Sequence, residues 1–547
     1  MRFCRFFIML SIIISIFGFC LSETWADSKI EEYDTIIKNG KILNGTGNPW
    51  FYGEVGIKDG KIVKIGDLEN CKSKKIINAE GMIVAPGFID VHTHTDNQIF
   101  NLQHADNFIR DGVTTVVTGN CGGSVRNVKK YLEKIEKEKI AINTATLVGH
   151  NSVLTEVKGD VATPLTADQI EECKVLLRNA MFDGAFGMST GLEYTPGQYS
   201  NTDEIIELQK SVSELGGLYA SHMRNEDITI IPAIEEALRI GREAGCPVEI
   251  SHFKIARDSL EGGIDIPLKM VNDARKEGIE VWLDQYPYTA SRTGISLLLP
   301  DWIFEDGDDK AREILSAPDQ IKKVISDMIA YHHDKRHRND FSFAYIAACK
   351  SKPEYEGKNI KEITRILKSR KMGREVELSF ISMADECRTI TDIYLEGGAS
   401  CVYHVMDEED VVKIMKSPLV SVCSDSGVRK LGEGKPHPRG YGSRARVLGK
   451  YVREMNVLTL EEAVRKMTSL PASAFKFKDR GLIHENYWAD ITIFNPDTVI
   501  DKATFENAHQ YSEGIEYVMV NGELVVDNGE ITNNLPGKPI YGPAFVK

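Results

Sequence analysis

The sequence has no CxxC pair and no cysteine spacing of a disulfide scaffold, although it contains ten cysteines. Past the N-terminal segment they stand singly at 71, 121, 173, 246, 349, 387, 401 and 423. That scatter suits free, mostly buried thiols rather than a bridged mini-domain. Positive charge is also in short supply. The 66 Lys and Arg against 80 Asp and Glu leave a formal net charge of -14. This argues against nucleic acid or an acidic membrane surface as a partner, since both need clustered cations. It leaves small ligands open, because a local basic pocket fits inside an acidic protein. There is no internal repeat and no low-complexity tract. Long apolar runs are missing too, with one exception at 6–21, which follows Arg2 and Arg5 and precedes the small, polar residues around Thr24 and Ala26. This is the three-part pattern of a signal peptide, taken as 1–26, and it implies export to the periplasm or outside a bacterium, with no stable membrane insertion after removal. The alternatives are an uncleaved anchor, for which the run is short, and a lipoprotein at Cys20, for which Phe19 is too bulky.

What remains is long and well supplied with apolar residues. The 547 residues, 42% of them hydrophobic, are too many for one ordinary domain but suit a large barrel plus a smaller unit. The segments 33–43, 53–65 and 75–84 read as strands, punctuated by hairpin-type turns at Asn39-Gly40 and Asp59-Gly60. The same style returns at 488–494 and 515–526, with Asn521-Gly522 between strands. These two ends are expected to pair into a small β-sandwich from 30–85 and 471–547. The centre, 86–470, alternates strands and amphipathic helices. Eight strand candidates lie at 88–92, 113–118, 144–149, 185–189, 218–222, 248–252, 280–286 and 419–425, which predicts an α/β fold of the (β/α)8 TIM-barrel type. The gap between the seventh and eighth strands is too long for a crossover. An inserted subdomain is expected at about 293–370, with 301–339 charged and irregular.

Catalytic groups of such barrels gather at the C-terminal ends of the strands. Here those ends, or the loops just after them, carry His92, His94, Cys121, His150, His222, His252 and Asp425. A lone histidine at a strand end is usually structural, but four such ends with a cysteine and an aspartate point to a metal. Imidazole and thiolate suit catalytic zinc, which keeps one position open for water. His92 and His94 are two apart and face the same way on a strand. Cys121 lies in a glycine-rich loop that lets backbone approach an ion. Asp425 is placed to take a proton from water and give it to a leaving group; its bland reading is a helix cap.

Several motifs go further: APGFIDVHTHTD at 85–96, GNCG at 119–122, GMSTGLEYTPG at 187–197, SHMRNE at 221–226, SHFK at 251–254, DQYPYTAS at 284–291, Ser424-Asp425 and HPRGYGSRARVL at 437–448. On these the chain resembles the amidohydrolase superfamily and, within it, the N-acyl-D-amino-acid deacylases (D-aminoacylases), from about residue 33 to near the C-terminus. The resemblance implies a tight Zn2+ site on Cys121, His222 and His252. It also implies a weaker second site on His92 and His94 that Cys121 can bridge, and Asp425 as the catalytic acid/base. It implies a small substrate, an N-acyl-D-amino acid or short D-residue peptide, whose carboxylate meets Lys254, Tyr194 and Ser291. Tyr286 and Arg292 lie on neighbouring active-site loops and join them as candidate substrate contacts. Arg224, His437 and Arg439 are candidates either for the site or for bracing its loops. The fourth strand ends without the lysine that bridges two metals in many superfamily members. This weighs against a rival reading as a cyclic amide or ureide hydrolase. A second rival, a non-catalytic binding protein on the same frame, would predict broken ligands. Met406 and Leu192 lean toward an apolar side-chain pocket.

Overall fold

A computed structural model describes residues 32–256 and 263–546; the signal-peptide reading falls outside them. No described helix is long and apolar enough to cross a membrane.

Eight parallel strands form the centre. They are β1 (Phe88–Asp90), β2 (Val113–Thr118), β3 (Asn143–Thr146, continued by Val148–Gly149), β4 (Gly187–Gly191), β5 (Leu218–His222), β6 (Val248–Ile250), β7 (Val281–Gln285) and β8 (Val420–Val422). Seven of them are buried along their whole length and β7 all but so, as expected of strands covered on both faces by crossover helices. Neighbours pair in parallel from β1 to β3 and from β4 to β8, and Val148–Gly149 joins β4. The ring closes past the strand ends. Asp425 N donates to the His92 carbonyl at 3.0 Å and His94 N to the Ser426 carbonyl at 2.9 Å. Closure therefore brings the first histidines and the aspartate together, although 331 positions separate His94 from Asp425.

The two ends of the chain meet as expected. Ile491–Phe494 runs antiparallel to Ile83–Pro86 with Ile493 opposite Val84, inside a seven-stranded sheet. A four-stranded sheet drawn from the N-terminal segment faces it, and Ile37, Val55, Ile57, Ile491 and Met519 share one core. Asp59-Gly60 and Asn521-Gly522 are two-residue hairpin turns with positive φ at both positions. Asn39-Gly40 is not a hairpin. It carries the chain from Glu32–Lys38 in one sheet to Lys41–Ile42 in the other, and a Cβ on Gly40 would lie 2.5 Å from Val84. The dipeptide supplies a tight bend in both cases, and only packing decides where the next strand goes.

The insertion between β7 and β8 is larger and more ordered than the sequence suggested. Its sheet places Ser400–Tyr403 between Ser291–Gly294 and Ala344–Ala348, so the central strand lies past residue 370. A separate core joins Ile295, Leu298, Ile303, Phe341, Ile346, Ile390 and Tyr403. The stretch expected to be irregular contains the helices Asp308–Ser316 and Gln320–Ile329. Their charges form the solvent face of amphipathic helices, while Ala311, Leu315, Val324 and Met328 are buried. His332 is likewise buried, with its ring 4.8 Å from Phe341.

Candidate metal centre and active site

Gly119 makes the first turn of the Cys121 loop. Its φ is +79° and a Cβ there would lie 2.3 Å from the Leu147 carbonyl, so only glycine lets the loop fold back against β3. The Ser189 hydroxyl in the middle of β4 donates to the Gly119 carbonyl at 2.5 Å and accepts from Gly122 N at 3.1 Å. The strand that lacks a lysine thus braces the cysteine loop instead.

Two groups of donors result. Cys121, His222 and His252 offer ligand atoms within 4.8 Å of one another, and so do His92, His94 and Cys121. The thiol is common to both. Cys121 Sγ lies 3.3 Å from His92 Nε2 and 3.6 Å from His252 Nε2, and His252 Nε2 lies 2.8 Å from His222 Nδ1. Burial opposes ionisation of the thiol, but His92, His222 and His252 around it outweigh that and hold it well below the usual range. A thiolate among imidazoles fits zinc.

Each buried imidazole has a carboxylate on its other nitrogen. His92 Nδ1 is 3.3 Å from Asp284, His252 Nδ1 is 2.9 Å from Glu226, and His222 Nε2 is 3.2 Å from Glu193. Such partners fix ring orientation and raise ligand basicity. None of the three was singled out from the sequence. All three lie inside the quoted motifs, and the available signal was an acid near each histidine in space, which spacing alone does not reveal.

Asp425 sits between the two donor groups. Its Oδ1 is 3.2 Å from His94 Nε2 and 3.8 Å from His92 Nε2, and its Oδ2 is 2.9 Å from Arg439. Burial disfavours the charge, yet Arg439 and His94 overcome it and hold the carboxyl well below its ordinary range. Cys121, His252 and Asp425 all have left-handed backbone, with φ of 53°, 36° and 48°. Non-glycine residues pay for that conformation, and such outliers cluster at functional sites.

A cavity of about 460 Å³ opens over this cluster. Of the expected substrate contacts, Tyr194, Lys254, Tyr286, Ser291 and Arg292 all line it, together with Arg429, Arg439, Leu297, Phe343, Tyr403 and Val405. Lys254 is buried and paired with Glu226 at 2.5 Å. Leu192 and Met406 are not among the lining side chains. Leu192 is in the barrel core and Met406 packs between core clusters, so the apolar pocket expected from them is not formed by them. Arg224 braces loops through Glu236 and the carbonyls of Gln198 and Ser200. His437 Nε2 donates to the Ala290 carbonyl at 2.8 Å. His150 is buried at the start of the helix His150–Lys158, outside the donor groups, and burial holds it down at about 4.

A closed parallel barrel with thiolate, imidazole and carboxylate converging at its strand ends defines a metal-dependent hydrolase. The sequence profile of the Amidohydrolase family matches residues 75–255 and 420–526. A D-aminoacylase of Alcaligenes xylosoxydans xylosoxydans is 32% identical over 537 residues, 94% of this chain and 98% of that protein. The crystal structure of N-acyl-D-glutamate deacylase from Bordetella bronchiseptica, complexed with zinc and a phosphonate mimic of the tetrahedral intermediate, superposes with a TM-score of 0.78 at 31% identity, covering 93% of this chain and all (100%) of that one. A D-aminoacylase structure with a binuclear metal centre, described by one-metal activation and second-metal attenuation, gives 0.77 at 31% identity, with coverage of 93% and 100%. The chain belongs to the amidohydrolase family and, within it, to the D-aminoacylase group.

Proposed function

We propose that this protein hydrolyses the amide bond of N-acyl-D-amino acids, or of short peptides ending in a D-residue, to a carboxylic acid and a D-amino acid. The observation that carries the reading is the position of Asp425, ionised, anchored by Arg439 and 3.2 Å from His94 at the mouth of the donor cluster. Cys121, His222 and His252 would hold the tight zinc, and His92 and His94, with Cys121, a weaker second ion. Zinc bound there supplies Lewis-acid polarisation of the carbonyl and makes a neighbouring water more acidic.

The side chains do the rest. Asp425 Oδ1 takes the proton of the attacking water and returns it to the leaving nitrogen. Arg439, bound to Oδ2, keeps the carboxylate oriented and charged. Lys254, Tyr194, Ser291 and Tyr286 form a row of donors for the carboxylate beside the scissile amide, with Arg292 next to it. Lys254 shares its charge with Glu226, so it acts as one member of that row. The absent fourth-strand lysine supports a linear rather than a cyclic substrate. Cleavage of 1–26 would place the mature enzyme outside the cytoplasm.

The test is Asp425→Ala in the zinc-loaded protein, screened on N-acetyl-D- and N-acetyl-L-amino acids and on hydantoins. Turnover of the D-series should fall by at least about a thousandfold with zinc content retained. Near-normal activity in the variant would sink the mechanism, and preference for hydantoins would sink the substrate class.

A further inference from the structure

Five cationic side chains line the cavity, and three of them are met by acids. Lys254 faces Glu226 at 2.5 Å, Arg336 faces Asp227 at 2.7 Å and Arg439 faces Asp425 at 2.9 Å. The fourth acid of the lining, Glu193, is engaged by His222 at 3.2 Å. Arg292 and Arg429 have no carboxylate partner among the described residues. Arg292 projects from Ser291–Gly294 of the inserted sheet, and its Nε is buried without a hydrogen-bond acceptor. Arg429 lies on the loop after β8. Its backbone N–H donates to Asn107 at 3.0 Å and its Nε to the Ser426 hydroxyl at 3.2 Å, which leaves the guanidinium fork free.

The two guanidiniums feel each other. Burial pushes Arg292 down to about 9, and the charges of Arg429 and Arg439 push it the same way. Buried like charges without a counter-ion are costly to maintain, and guanidinium forks are the side chains best shaped to take a carboxylate in two hydrogen bonds. The pair extends the row proposed for the first carboxylate beyond its end: Arg292 follows Ser291 on the same strand, and Arg429 reaches the cavity from the loop after β8. The Tyr286 ring lies 5.8 Å from Lys254 Nζ and 4.4 Å from Arg439 Cζ, and the charge of Arg439 is felt by both Arg292 and Arg429.

We propose that Arg292 and Arg429 form a second anion-receiving subsite, so that the preferred substrate is an N-acyl-D-amino acid with an acidic side chain. This rests on the deacylase reading and names the substrate class within it. The side-chain carboxylate fills the unoccupied forks, while Leu297, Phe343 and Val405 are left to the acyl group.

The experiment compares kcat/KM of the full-length, zinc-loaded protein on N-acetyl-D-glutamate, its neutral isostere N-acetyl-D-glutamine and N-acetyl-D-leucine. Glutamate should lead both others by about a hundredfold or more, because the neutral substrates leave buried donors unpaired. In Arg292→Met and in Arg429→Met the glutamate-to-glutamine ratio should fall by about tenfold or more. Equal loss on both substrates would put the arginines on the first carboxylate and overturn the inference. The wild-type ratios do not depend on either variant folding. Glutamine or leucine turned over as well as glutamate overturns the inference alone, whereas inertness toward all three overturns the deacylase reading beneath it.

Discussion

The barrel and the inserted unit meet at one cavity but build their shares of it differently. Barrel strand ends contribute Cys121, His222, His252, His92 and Asp425, each buried or nearly so and each held by a second polar group. The inserted unit contributes Ser291, Arg292 and Tyr403 from a three-stranded sheet, and Phe343 from the turn leading into it, all on a core of their own. The difference separates reaction from selection. Donors on parallel strands are fixed by the closure of the barrel, whereas a wall carried on an independent core can change without disturbing them.

That division can be broken most forcefully at Cys121, the one donor shared by both metal groups. Cys121→Ala should remove bound metal and lower turnover by about a thousandfold or more. Zinc content and kcat measured together check it, and full zinc occupancy in the variant would break the assignment. A middle-sized effect is expected in the inserted wall. Phe343→Ala should raise KM by about tenfold while zinc content stays as in the wild type, since it removes contact with the substrate rather than with the reacting atoms. Loss of zinc in that variant would show that the two regions are not separable.

The smallest effect concerns stability. Burial, with Arg336 and then Arg338 adding to it, holds His332 down at about 3 against its ordinary 6.5. The folded unit therefore keeps His332 neutral while the unfolded chain takes up a proton. The stability this secures is complete above 6.5 and drains away as pH falls toward 3, by up to about 1.4 kcal/mol per pH unit. Differential scanning calorimetry at pH 7 and pH 5 should show a smaller acid-induced drop in Tm for His332→Phe than for the wild type. Equal drops would remove His332 from the account.

The barrel was legible because its signals are local. The strands at 113–118 and 218–222 coincide with β2 and β5, since apolar runs bounded by turns need little context. The donor residues were legible for a related reason, as each ends a strand. The insertion was not. Its central strand, Ser400–Tyr403, lies more than a hundred positions from its partner Ser291–Gly294, and no local pattern announces such a pairing. Charged helix faces at 308–329 resembled loop because half of every surface helix is polar. The carboxylates behind the histidines, Asp284, Glu226 and Glu193, and the lone arginines Arg292 and Arg429, acquire meaning only through what stands opposite them. The clusters at Leu192 and Met406 misled for the same reason, being apolar toward a core rather than toward the cavity.

The left-handed backbone at Cys121, His252 and Asp425 carries an evolutionary consequence. At each of these positions glycine would relieve conformational cost but abolish a donor. A lineage released from its reaction, or a laboratory selection for thermal endurance alone, should drift to glycine or asparagine at 121, 252 and 425 before it changes the neighbouring strands. Relatives that carry those replacements would be recognisable as retired from hydrolysis while still folding, and the more durably for it.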